Sequence, residues 1–225
     1  MQKKGSLKLE GDFEPKAGDI SSRGSAFSYK AFAVIKFILG ILLLPFVYSS
    51  SVAFLAEFGL IERSLQAYFW AGVVSFLAVY LFVWEPVKIY TRGQRILEII
   101  FRFFAPLVRV APYLLPIYFI LIASCYFLLS SIVRSPELIN YFNFFFGFSV
   151  IFHLVFSAKS IRSKQGDFLK ANHIFGFSFI YIINLMLLGF FLSLIFENFS
   201  FVNFLNYSLL EAKAVFGAVF KQFFL

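Results

Sequence analysis

The sequence predicts an all-α fold: a polytopic helical membrane protein with five transmembrane helices plus interfacial helices. Three observations predict it. The chain of 225 residues is 60% hydrophobic and only 14% charged, where soluble domains run near half apolar and a quarter charged. Its mean hydropathy is +0.84. Five apolar runs are long enough to cross the ~30 Å hydrocarbon core as helices, and no alternating pattern suggests the strands of a closed barrel.

Residues 1–30, rich in Lys, Gly, Ser and acidic residues, read as a flexible cytoplasmic tail. Residues 31–196 form the membrane domain. Its spans are expected at 32–54, 67–84, 112–133, 138–158 and 174–196. The first lacks a small-residue cleavage site and reads as a permanent span. Within it, Lys36 sits near one end, where snorkelling accounts for it. Cys125, the single cysteine, lies inside the third span and reads as a small packing residue.

Charge sets the orientation. The connection between the second and third spans carries Lys88, Arg92, Arg95, Arg102 and Arg109, and that between the fourth and fifth carries Lys159, Arg162, Lys164 and Lys170. The opposite loops hold only Arg63 and Arg134. The positive-inside rule then predicts a cytoplasmic N-terminus and an extracytoplasmic C-terminus, in a membrane read as the bacterial cytoplasmic one. The net charge of +8 is thereby a topology signal and an attraction to anionic lipid headgroups. A nucleic-acid partner is excluded, because these cations flank membrane spans and form no soluble basic face.

The segment 87–109 has helical character. Lys88, Arg95, Arg102 and Arg109 recur every seven residues with Arg92 beside them, which puts them on one face. Ile96, Ile99, Ile100, Phe103, Phe104 and Leu107 occupy much of the rest. The segment is expected to lie in the interface with its basic face on headgroups, until Pro106 and Pro112 break it. Residues 197–225 show a similar stripe interrupted by Glu211 and Lys213, expected as an amphipathic extracytoplasmic helix or one packed on a partner.

Polar residues inside spans are the place to seek chemistry. Asn184 suits a hydrogen bond between helices. His153 and His173 lie toward the cytoplasmic side, and with Glu98 they are weak candidates for a zinc site. They come from separate elements, with no local spacing to force them together. No nucleophile elbow, phosphate-binding loop, dinucleotide fingerprint or paired-cysteine motif occurs, and no cofactor is expected. The sequons at Asn198 and Asn206 matter only in a eukaryotic secretory membrane.

One motif carries a resemblance. A Phe- and Trp-rich span followed by Pro86 and then Tyr90-x-x-Gly93 is similar to small bacterial membrane proteins of the site-2 protease type. Segments near Ala111–Pro112–Tyr113, Phe152–His153, Gln165–Gly166–Asp167 and Phe179–Asn184 extend the likeness over about residues 37–195. In that family a His-Glu-x-x-His helix follows the Tyr-x-x-Gly, its histidines binding zinc and its Glu activating water. Here Gln94 stands for the first His, Arg95 for the Glu and Glu98 for the second His. Arg95 puts a cation where the base and metal belong. The resemblance therefore implies a noncatalytic pseudoprotease that binds a membrane-protein partner. Two alternatives stay open: a membrane subunit of a transporter or secretion complex, and a zinc metalloprotease with atypical ligands.

Overall fold

Prolines and glycines set the outline of this chain. The computed structural model describes residues 17–83, 86–133, 135–163 and 173–224. Two units are distinguished, Met1–Ile35 and Lys36–Leu225. Of the first, helical backbone is described from Ala17, within the segment expected as a tail. The packing below is that of the second.

Every described element is helical. They are α1 (Ala17–Phe58), α2 (Arg63–Phe82), α3 (Val87–Ile100), α4 (Ala105–Leu114), α5 (Ile117–Ile132), α6 (Leu138–Ser163), α7 (His173–Ile195) and α8 (Phe201–Phe224). Among the described residues four stretches are long and apolar enough to cross a bilayer: Val34–Phe58, Arg63–Phe82, Leu138–Ile161 and His173–Ile195. The run expected as a third span differs. Pro116 cannot donate a backbone hydrogen bond, and Leu115 before it is extended. The run is thereby divided between α4 and the 16-residue α5, about 24 Å long.

Side-chain pairings fix the directions of the helices. Along α2 and α6, Asn143 Nδ2 donates to the Leu65 carbonyl at 2.6 Å, Phe76 meets Phe148 and Phe152, and Tyr80 meets Phe156. Numbers rise together, so α2 and α6 are parallel. α5 runs against α6, with Phe119 on Phe146 and Tyr126 on Phe142. α7 follows α1, with Phe175 level with Gly40 and Tyr181 bonded to Ser51 at 2.8 Å. α8 returns beside α1, with Phe204 on Phe54 and Phe216 on Phe46. Thus α1, α5 and α7 point one way, and α2, α6 and α8 the other.

The tightest contact joins α2 to α6. A methyl group on Gly72 would overlap the Phe144 carbonyl oxygen, and one on Gly147 would overlap that of Phe69. Each glycine lets the other helix's backbone in, the device by which membrane helices gain dispersion contacts that lipid cannot supply. Around this crossing and its neighbours the core is aromatic, with Phe58, Phe76, Phe119, Phe146, Phe156, Phe199 and Phe204 all fully buried.

Several side chains depart from expectation. Lys36 is buried instead of snorkelling. Cys125 faces outward on α5, where an apolar thiol suits lipid as well as a core. Within 197–225 the described helix is α8, Phe201–Phe224, which packs beside α1. Its start is held by Ser200, whose Oγ accepts from the Asn203 amide at 3.3 Å. The Glu57 carboxylate accepts from the Ser200 amide at 3.2 Å, a favourable place for negative charge. From there α8 descends along α1 to the level of Phe46.

Candidate functional site

Two features gather the residues singled out by sequence: a buried polar node around the α4–α5 break, and the outward face of α3.

The break leaves the last carbonyls of α4 without intrahelical partners. Where they are buried away from water such groups must be met by other protein atoms. His153 Nε2 lies 3.0 Å from the Tyr113 carbonyl oxygen, and Ser157 Oγ donates to the same oxygen at 3.2 Å. Asn184 Nδ2 donates to the Leu114 carbonyl at 3.0 Å, the interhelical bond expected of it, and to Ile180 of its own helix at 2.9 Å. A carbonyl oxygen only accepts, so His153 carries its proton on Nε2. The Ser157 Oγ lies 3.1 Å from the same nitrogen, which is thereby shared between the backbone and that hydroxyl.

Ser157 extends the node to α3, its Oγ lying 3.0 Å from the Tyr90 hydroxyl. Burial pushes the Tyr90 phenol up to about 12, with the Ser157 hydrogen bond acting in the other direction. The ring stacks on Phe156 at 5.3 Å. One turn on, Gly93 admits Tyr118 and Ile117 so closely that a methyl group would meet the Tyr118 ring at 2.7 Å. The Tyr118 hydroxyl donates to the Ile89 carbonyl. Tyr90 and Gly93 thus seat α3 on the bundle, and Leu97 completes the buried side.

The degenerate motif positions diverge around this helix. Gln94 points partly inward, its Nε2 buried with no hydrogen-bond partner among the described residues. Arg95 and Glu98 are exposed, as is His173 at the start of α7. Among the described residues no three His, Cys, Asp or Glu side chains gather as metal ligands. Glu98, His153 and His173 are therefore not brought together.

The basic face is smaller than the seven-residue repeat implied. Lys88, Arg92 and Arg95 are exposed on the outward side of α3. The helix ends at Ile100, which leaves Arg102 exposed in the turn that follows. Arg109 belongs to α4, and its side chain lies outside the described residues. Ile96, Ile99 and Ile100 stay exposed beside the cations, as does Phe103 in the turn. Cations and apolar side chains thus share the outward surface of α3.

Sequence reasoning missed Ser157 and the two carbonyls of α4. The break falls at Pro116, whereas Pro112, expected to end the basic helix, lies inside α4, and neither proline tells which residues satisfy the freed carbonyls. Comparison with protein-family models, curated proteins and solved structures finds no match to this chain.

Proposed function

We propose a noncatalytic integral membrane protein that acts by binding the transmembrane helix of another membrane protein through the outer face of α8. One observation carries this reading. Lys213 is exposed on α8, in the stretch between Phe204, which meets Phe54, and Phe216, which meets Phe46 in the middle of the first span. A lysine in the centre of a membrane helix costs ~2.5–3.5 kcal/mol, and a carboxylate partner relieves that cost. Around it, Leu210, Ala214, Gly217, Ala218 and Lys221 line an open groove of ≈ 530 Å³. Small residues there permit close backbone approach. The fitting occupant is a membrane helix bearing an Asp or Glu.

The helix directions support five crossings with α8 re-entering. Parallel neighbours α2 and α6 require the chain between them to return through the bilayer. We read α4 and α5, which lie in that connection, as a third crossing made by a broken helix. The excess of Lys and Arg next to α3 and after α6 supports a cytoplasmic N-terminus. Re-entry of α8 then directs the C-terminus back toward the same side.

The likeness to site-2 proteases rests on sequence pattern alone and supplies the noncatalytic half of the reading. His153 Nε2 is held by a carbonyl, and Arg95 occupies the position of the general base. A photo-crosslinking residue placed at Ala214 in native membranes should give one discrete adduct. The adduct should vanish with Lys213→Glu plus Lys221→Glu, and a probe at Leu128 on α5 should give none. An adduct indifferent to the charge reversal refutes the reading.

A further inference from the structure

A groove on the outside of the bundle ends against the basic face of α3. Phe145, Phe148 and Phe152, spaced along one side of α6, form its floor, with Val79 of α2 and Ile122 of α5 as walls. Pro86 and Ile89, at the start of α3, close the end. Its volume is ≈ 240 Å³ and its lining is apolar throughout. Tyr118 contributes only its ring, because its hydroxyl is turned onto the Ile89 carbonyl. A compact polar ligand finds no hydrogen-bond partner there. The volume is also below the ~300–1,000 Å³ of ordinary small-molecule sites. One hydrocarbon chain, lying parallel to α6, suits it.

Beyond Ile89, across the first turn of α3, Lys88, Thr91, Arg92 and Arg95 line a second, shallow groove of ≈ 310 Å³. Of these, Arg92 is close enough to Tyr118, which lines the apolar slot, to act on its hydroxyl electrostatically. Two guanidinium groups and an ammonium group on one helix face match a phosphate, since Arg binds it through paired donors. The slot runs along a membrane helix, and the cations sit just past the end of α2. The order of parts is that of a phospholipid: chain in the bilayer, charge at its edge.

We infer that α3 and the α2–α5–α6 groove bind one anionic phospholipid. Its phosphate is held by Lys88, Arg92 and Arg95, and an acyl chain lies along Phe145, Phe148 and Phe152. A free phosphate or soluble phosphate ester would use the cations and leave the slot empty. A zwitterionic lipid would fill the slot without complementing three cations. The site is separate from the α8 face, so neither proposal depends on the other.

The test uses the full chain in mild uncharged detergent, supplied with phosphatidylglycerol and phosphatidylcholine of identical chains, and native mass spectrometry to count retained lipid. One phosphatidylglycerol should be retained, with about tenfold preference over phosphatidylcholine. The exposed triple variant Lys88→Gln, Arg92→Gln, Arg95→Gln should lose the preference with helical circular dichroism unchanged. Ile89→Trp, which fills the end of the slot and keeps every charge, should lose retention. Glycerol phosphate should not displace the lipid. Equal retention of the two lipids, a preference that survives the triple variant, or an Ile89→Trp protein that binds as before overturns the site. Displacement by glycerol phosphate reassigns the cations to a soluble phosphate and overturns it equally.

Discussion

The contact between Gly72 and Gly147 gives the sharpest test of the packing. Replacing Gly72 by Ala places a methyl carbon 2.9 Å from the Phe148 amide nitrogen and the Phe144 carbonyl carbon, and closer still to that carbonyl's oxygen. These are backbone atoms of α6, so no side chain can rotate away. Moving that oxygen from 1.9 Å out to an ordinary contact parts the helices by ~1 Å or more, and a gap of that order forfeits about half of each dispersion well it opens. Overpacking of this kind costs about 1–3 kcal/mol, and more where backbone cannot shift. Gly147→Ala should cost a similar amount. The double variant should cost less than the sum, because one spread crossing accommodates both methyl groups. Gly217→Ala is the internal control: nothing lies within 4 Å of its added carbon, so it should be neutral or slightly stabilising. Unfolding in detergent can be followed by Trp70, which packs on Phe58 and Phe69 beside the crossing, in a Trp84→Phe background. If Gly72→Ala and Gly147→Ala both fall within about 0.5 kcal/mol of the parent with unchanged Trp70 emission, the backbones do not touch and the α2–α6 packing is refuted.

Two other outcomes follow from the polar node. Tyr90 has its phenol raised to about 12 by burial, so the folded state holds its proton more tightly than the unfolded chain does. Its contribution is complete below pH ~10 and lost as pH rises toward about 12, at most ~2–3 kcal/mol in all. Tyr90→Phe should flatten the fall in stability across that window, and an unchanged slope argues against burial of this hydroxyl. His153→Ala and Asn184→Ala each strip a donor from an α4 carbonyl and should cost about 0.6–1.7 kcal/mol. Neither should alter the zinc content of purified protein, and metal analysis showing zinc lost with His153→Ala would restore the atypical metalloprotease reading.

How much of this was legible depended on whether the determining interaction was local. The apolar runs expected at 32–54, 67–84, 138–158 and 174–196 each coincide with a helix long and apolar enough to cross, because length and composition alone decide this. The seat of α3 is likewise signalled by its change to a basic periodic pattern. The division of the third run falls at Pro116, a single residue inside an otherwise continuous apolar composition. Pairings between distant helices left no such trace. Gly72 and Gly147 look like any glycines in apolar runs until α2 and α6 lie side by side. Glu57 looks like a loop charge until α8 begins beside it. His153 suggests metal chemistry in sequence, but in the fold its Nε2 meets a carbonyl 40 positions away.

The break between α4 and α5 bears on how this chain is made. A ribosome delivers α4 and α5 to the membrane before α6 and α7 have been synthesised. During that interval the Tyr113 and Leu114 carbonyls lack the residues that later claim them, His153, Ser157 and Asn184. A nascent chain ending near residue 135 therefore holds an unfinished hydrogen-bond set inside or beside the bilayer. Such a chain gains from staying at the insertion machinery, or from water reaching the break, until two further helices arrive. The order of synthesis and the order of satisfaction are thus offset. Chains released after α5 should be unstable in the membrane, and those released after α7 should persist.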